Sequence, residues 1–344
     1  MKIGVLTFYR AANFGALLQA FALERYLAAR GHEVRFIDED ALYERRPGLL
    51  SVFCSRSIRG IAKKLSRWLS FRKVHFADRR VRLAEGEVPD VYLVGSDQVW
   101  NPGWYGTPQY VEKVFLGDVD KSARRIAYAV SFGVDRWTAT ETAVRVGELL
   151  KGFERISVRE SSGIEIVRRL SGRTDVSCLL DPTLLHLDAF YRPLLAGRNV
   201  PNGCVFLYLL NWSASSEAEC ALSCARQIGF AKVRAARAGQ HVEDWLTEIA
   251  AAGIVVTNSF HGTVFALLFH RPFVALKLRG DYASMNERIA ELLHLVGMEQ
   301  RFVEAFDVAA IHAALSSSID WRMVDERLAY KRLETDAFFE EVGL

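Results

Sequence analysis

Short apolar runs that stop at a polar turn and lead into a helix-like stretch recur along this chain, in two separate series. Such alternation points to parallel sheets wound by crossover helices. A parallel strand buried on both faces needs a continuous apolar run, and a helix must carry the chain back to start the next one. The first series has strands at Lys2–Phe8, Glu33–Asp38, Val91–Gly95, Arg125–Phe132, Ile156–Arg159 and Val176–Leu180, with helices at Ala16–Arg30, Ala139–Phe153 and Ser161–Leu170. The second has strands at Val205–Leu210, Lys232–Ala236, Ile254–Thr257 and Phe273–Leu278, with helices at Glu217–Ile228, Val242–Ala252, Thr263–His270 and Met285–Val296. Between them Pro182, Pro193, Gly197, Pro201 and Gly203 mark a linker around Asp181–Asn202. The tail from Met323 to Val342 is an amphipathic helix. The expected fold class is α/β, with two doubly wound Rossmann-like domains at 1–185 and 200–315 and a C-terminal helical tail at 316–344 that crosses back.

Composition narrows the class. Half of the 344 residues are hydrophobic and a quarter are charged, which excludes a disordered chain and gives each half enough apolar residues for a core. No apolar run approaches the ~20 residues of a membrane-spanning helix. Met1–Tyr9 lacks the long apolar region and cleavage site of a signal peptide and reads as a first strand. The five cysteines are scattered and complete no zinc pattern, so reduced thiols in a cytoplasmic protein are expected.

Charge is uneven. Residues 45–82 carry 12 Lys/Arg and one acid, a local +11 that leaves −8 for the rest of a chain whose total is +3. A uniformly basic nucleic-acid binder does not look like this. Within this insertion Ile58, Ile61, Ala62, Leu65, Trp68 and Leu69 recur at helical spacing among Arg59, Lys63, Lys64, Arg67 and Arg72. Residues 57–72 suit a helix lying on an anionic membrane face, and equally one whose apolar stripe packs on the first domain.

In doubly wound folds ligands gather at the carboxyl ends of strands, so chemistry is sought there. After the first strand, Arg10, Asn13 and Gly15 precede a long helix, where Asn13 is either a ligand contact or a helix cap. After Val91–Val94, Asp97, Gln98 and Asn101 suit sugar hydroxyls, and Trp100 suits the apolar face of a sugar unless it is half-buried packing. Arg159 could clamp a carboxylate or phosphate, or pair with Glu160 or an adjacent acid. The strongest pattern is Thr257-Asn258-Ser259-Phe260-His261-Gly262-Thr263, an apolar strand running through a small polar turn into an apolar helix. A histidine there can move a proton near neutral pH, beside helix-start N–H groups that favour an anion. Lys277, Arg279, Asn286 and Arg288 add donors and charge after the next strand. Dinucleotide, P-loop, zinc-protease and nucleophile-elbow signatures are missing, and no metal-ligand cluster is visible.

These residues resemble the polysaccharide pyruvyl transferase family over nearly the whole chain. The resemblance rests on Asn13-Phe14-Gly15-Ala16-Leu17-Leu18-Gln19-Ala20-Phe21-Ala22-Leu23, Val94-Gly95-Ser96-Asp97-Gln98-Val99-Trp100-Asn101-Pro102, Ser157-Val158-Arg159-Glu160, Leu180-Asp181-Pro182-Thr183, Asn258–Thr263 and Asn286-Glu287-Arg288-Ile289, in that order. It implies a GT-B-like arrangement of the two domains and transfer from phosphoenolpyruvate onto two sugar hydroxyls, giving a pyruvate ketal and phosphate. Phosphoenolpyruvate is then a co-substrate, and no cofactor or metal is required. The resemblance also implies that His261 is the reactive histidine and Arg159 the donor-binding arginine. Ser259, Phe260, Gly262, Thr263, Arg279, Asn286 and Arg288 fall on the donor side, and Arg10, Asn13, Gly15, Asp97, Gln98 and Trp100 on the acceptor side. Some relatives carry arginine and leucine where this chain has Ser259 and Phe260, so Arg279 or Arg288 is expected to supply the missing cation. The acceptor would be a sugar or lipid-linked oligosaccharide at the inner membrane face. Two rival readings are a GT-B glycosyltransferase using a nucleotide sugar and a non-catalytic glycan-binding relative.

Overall fold

The computed structural model describes residues 1–9, 11, 13–37, 71, 86–104, 108–200, 202–210, 215–237 and 240–344. Arg10, Cys54 and the basic helix expected at Ile58–Leu69 lie outside the described residues. The chain forms two compact units, Met1–Leu185 with Lys331–Leu344, and His186–Tyr330.

The first unit is built on strands β1 (Lys2–Leu6), β2 (Glu33–Phe36), β3 (Val91–Val94), β4 (Arg124–Val130), β5 (Arg155–Val158) and β6 (Val176–Cys178). They form one all-parallel sheet in the order β2-β1-β3-β4-β5-β6. Its described helices are α1 (Phe14–Ala29), α2 (Pro108–Val114), α3 (Ala143–Lys151) and α4 (Ser161–Ser171). Helix α1 is buried on nearly every side, as its unbroken apolar sequence requires. It starts where the Asn13 side chain accepts the Ala16 N–H at 3.2 Å. The sheet packs Val94, Val130 and Val158 against Val111, Phe115, Val146, Leu150 and Val167. β4 and β5 shift register between Ala127 and Val130, with Ala129 at φ 45° and its N–H donating to Ser157 Oγ at 2.9 Å. That bulge re-aims the end of β4.

The second unit repeats the pattern with β7 (Val205–Tyr208), β8 (Val233–Ala235), β9 (Ile254–Thr257), β10 (Phe273–Leu276) and β11 (Phe302–Val303), all parallel in the order β11-β10-β9-β7-β8. Its helices are α5 (Asp188–Tyr191), α6 (Ser215–Gln227), α7 (Val242–Ala251), α8 (Phe260–Leu268), α9 (Asn286–Val296) and α10 (Val308–Ser316). Val205, Leu207, Val256, Val274 and Leu276 pack with Ile311 and Leu315 of α10. The last helix, α11 (Trp321–Glu341), is shared. Its final turns join the first unit, where Arg332 Nε donates to Leu184 O at 2.7 Å and Phe339 packs on Tyr128 with ring centres 4.6 Å apart.

The fold is therefore α/β with two Rossmann-like parallel sheets, as expected. In each sheet the chain moves outward on one side of its first strand and then returns to the other. The switch points are β1/β3 in the first sheet and β7/β9 in the second. Several strands end earlier than their apolar runs, because the next residues turn into the polar loops. Sequence reading placed no element between 297 and 322, where β11 and α10 lie; a two-residue strand gives no periodicity to read. The expected linker also begins too early. Asp181 caps the turn Pro182–Leu184 and is buried with it in the first unit. Among the described residues no helix is long and apolar enough to cross a membrane.

Candidate functional site

At the carboxyl edge of the first sheet, a buried polar network ties the strand ends together. Gln19 Nε2 donates to Thr7 Oγ1 at 3.0 Å, and Thr7 Oγ1 donates to Ser96 O at 2.7 Å, linking α1, β1 and β3. Ser96 Oγ donates to Asp181 Oδ2 at 3.0 Å, which also accepts Arg159 Nη1 at 2.7 Å. The other oxygen of Asp181 accepts the Thr183 N–H at 2.9 Å and its hydroxyl at 2.6 Å. Arg159, its side chain 1% exposed, also lies 3.7 Å from Asp97 and 4.0 Å from Glu160. Glu160 Oε1 in turn accepts Ser131 Oγ at 2.8 Å, the Phe132 N–H at 2.9 Å and the Gly133 N–H at 3.3 Å. Burial opposes the charge on Arg159, but Asp181, Asp97 and Glu160 outweigh it and hold the guanidinium pKa above its ordinary value.

One arginine thus faces three carboxylates. Of the alternatives for Arg159, the one realised is pairing with acids, and its main partner is Asp181 rather than Glu160. An anionic donor would have to displace a buried ion pair to reach it. Asp97 is the most open member, its side chain 17% exposed, and its backbone is left-handed at φ 76°.

The structure corrects the reading of Trp100. It is fully buried, its ring stacks on Phe115 with centres 4.8 Å apart, and its Nε1 donates to Val114 O at 2.9 Å, so no sugar can lie on it. Gln98 is also interior, its Oε1 accepting Asn101 Nδ2 at 2.8 Å beneath Gly133, where a Cβ would fall 2.6 Å from the Gln98 carboxamide. Asn13 caps α1, and Gly15 is buried within that helix. Asn13 is exposed but commits its side-chain oxygen to the cap, Asp97 is half-buried, and Gln98, Trp100 and Gly15 are interior.

In the second unit the His261 turn leaves the end of β9, one side of the switch point. Thr257 seals the strand: its hydroxyl donates to Tyr208 O at 2.6 Å and accepts the Ser259 N–H at 3.1 Å. Ser259 caps α8; its Oγ accepts the Gly262 N–H at 3.4 Å, and its carbonyl accepts the Thr263 N–H at 3.0 Å and hydroxyl at 3.1 Å. Gly262 is required by packing, since a Cβ there would lie 2.3 Å from Thr257 Oγ1. Beneath the turn, burial pushes the Tyr208 phenol above its ordinary range, with Ser259 pulling weakly the other way, so it stays neutral. His261 is largely buried, its ring edge-on to Phe260 with centres 5.1 Å apart.

The cation candidates separate. Arg288, buried in the first turn of α9, lies with its Cζ 6.0 Å from the Phe260 ring centre. Arg279 is half-exposed, over Phe306 and 3.3 Å from Glu304, which Lys277 also approaches at 3.4 Å. Asn286 is not aimed at a ligand: its carboxamide accepts the Leu278 N–H and donates to Leu278 O, both at 2.8 Å. Asn258, which sequence reading did not single out, does the same with Leu210, at 2.6 Å and 3.2 Å. Asp181 and Ser96 likewise carry no assigned role in the sequence reading, although both lie after strands and within the motifs of the resemblance.

Two solved structures are similar to the chain at low identity. UDP-GlcNAc 2-epimerase from Methanocaldococcus jannaschii superposes with a TM-score of 0.50 at 11% identity, covering 97% of this chain and 99% of that one. UDP-GlcNAc 2-epimerase from Neisseria meningitidis gives 0.48 at 10%, covering 96% and 93%. No curated protein sequence matches the chain. The family described as polysaccharide pyruvyl transferase matches residues 13–278, which include both strand-end sites and five of the six motifs that suggested it. The sixth, Asn286–Ile289, lies beyond the matched region, and the chain belongs to the polysaccharide pyruvyl transferase family.

Proposed function

We propose that this transferase moves the enolpyruvyl unit of phosphoenolpyruvate onto two hydroxyls of a sugar in a surface-polysaccharide precursor. The product is a cyclic pyruvate ketal, and phosphate is released. The observation that carries this reading is the placement of His261. A proton-transfer group stands in the first turn of α8, at the switch point of a Rossmann-like sheet, with Arg288 near its neighbour Phe260. The positive end of a helix and a nearby guanidinium suit a donor that carries both a phosphate and a carboxylate.

The chemistry follows from the donor. Protonation of the methylene carbon of phosphoenolpyruvate makes a methyl group and puts positive character on C2. One sugar hydroxyl adds to C2 and gives up its proton, and the bond from C2 to the phosphate oxygen breaks. The second hydroxyl adds to the same carbon and gives up its proton. One of the two protons ends on the methyl carbon and the other on the released phosphate. His261 is assigned the delivery of the first and the removal of a hydroxyl proton. In the second unit Ser259, Gly262 and Thr263 shape the helix start that holds the donor, and Arg288 replaces the cation missing at Ser259. The acceptor is assigned to groups of the first unit, foremost Asp97. The protein would work at the cytoplasmic face of the membrane, where such precursors are lipid-linked.

Purified protein given phosphoenolpyruvate and candidate glycans should release phosphate and yield a pyruvylated sugar by mass spectrometry. His261→Gln should bind the donor but lose turnover; near-normal turnover in that variant sinks the assignment. Release of a nucleotide diphosphate from a nucleotide sugar, in place of phosphate, would make the protein a glycosyltransferase.

A further inference from the structure

The strand that carries the His261 turn stops while its two neighbours are carried on. In the ladder, Thr257 at the end of β9 is level with Tyr208 of β7 and Ala275 of β10. Leu210 and Leu278 each stand two residues beyond the last residue of β7 and β10. There the sheet no longer offers partners for their N–H and C=O groups. An asparagine side chain supplies both partners in each case: Asn258 to Leu210 and Asn286 to Leu278. A carboxamide is suited to this because it presents an acceptor and a donor side by side, as a neighbouring peptide group does. The first bracket spans the switch point from the residue just after β9. The second closes the segment after β10 onto the start of α9, two residues before Arg288.

We infer that Asn258 and Asn286 are positioning residues, which fix the two segments flanking the His261 turn and thereby set the place of its imidazole and of Arg288. This role rests on the reading of His261 as the reacting group. It assigns Asn286 a task other than touching the donor, and gives Asn258 a task where it had none. Aspartate at either position keeps the acceptor for the leucine N–H and loses the donor to its C=O, so it leaves half a bracket.

The test uses the full chain with its histidines labelled with nitrogen-15, the His261 imidazole signals being assigned with His261→Gln. Those signals and the dissociation constant for phosphoenolpyruvate are measured in Asn258→Ala, Asn286→Ala, Asn258→Asp and Asn286→Asp, beside thermal unfolding. The alanine variants should move the imidazole signals and, through a misplaced Arg288 guanidinium, weaken donor binding about tenfold, the scale of one weakened charge-assisted hydrogen bond. The aspartate variants should fall between. A lowered unfolding midpoint with unchanged signals and unchanged affinity makes the brackets purely structural and overturns the inference. If the alanine variants fail to fold, the aspartate pair decides by the same criterion. Wild-type protein that does not bind phosphoenolpyruvate refutes the donor proposed above, while the imidazole signals still decide whether the brackets position His261.

Discussion

The two units wind their first five strands in the same spatial order, yet finish their strand ends differently. In the first, the carboxyl edge is closed by buried charge: Arg159 with Asp181, Asp97 and Glu160, and hydroxyls from Ser96, Ser131 and Thr183. In the second, the corresponding edge is built from small residues, backbone brackets and rings, with His261 at the helix start. The lesson is that topology nominates a place for chemistry but does not say what occupies it. A buried ion-pair network makes an edge rigid and costly to disturb, whereas an edge of capped turns leaves a titratable side chain to do work.

That contrast is broken most severely by removing one partner of the buried pair. Asp181→Ala strands Arg159 without its closest acid and should cost about 4–5 kcal/mol in urea unfolding, while His261→Gln should leave stability nearly unchanged. Equal losses in the two variants would erase the distinction between the units. Trp100→Ala empties a core position enclosed by Phe115, Phe132 and Phe153 and should cost about 3–4 kcal/mol; a small loss would reopen the view of Trp100 as a sugar platform. Gly262→Ala forces a methyl onto Thr257 Oγ1 and should cost about 1–3 kcal/mol, with a larger drop in turnover than in stability. The smallest effect is reserved for exposed charge. Hydrogen bonds from Arg168 and Arg169 hold the Glu165 carboxyl down at about 2. Its contribution is present above its ordinary range and is lost as pH falls from about 4.5 toward 2. Because this group faces solvent, Glu165→Gln should lower the unfolding midpoint at pH 7 only slightly and blunt its fall in acid by the same small amount. A marked loss at pH 7 would show that surface pairs in the first unit matter as much as the buried one.

Much of this was legible beforehand, and the reasons for the rest are specific. Apolar runs of four to seven residues announced the strands, and the Thr257–Thr263 turn showed strand, cap and helix in order. Trp100 was misread because a tryptophan after a strand has the same sequence signature whether it faces a ligand or a cluster of aromatic rings brought from α2, β4 and α3. Arg159 was visible, but its main partner is 22 residues away across β6, a separation that no local pattern encodes. Asn258 and Asn286 lay within the motifs that pointed to the family. What hid their role is that each bonds backbone, which has no side-chain identity to match.

Phosphoenolpyruvate is proposed to bind the second unit at the His261 turn. This is tested most directly by thermal unfolding of the wild-type protein, Arg288→Ala and Arg159→Lys with increasing phosphoenolpyruvate, beside a panel of nucleotide sugars. A saturable upward shift with phosphoenolpyruvate alone, lost in Arg288→Ala and kept in Arg159→Lys, is expected. A shift with a nucleotide sugar alone, or one abolished by Arg159→Lys but kept in Arg288→Ala, would contradict that binding.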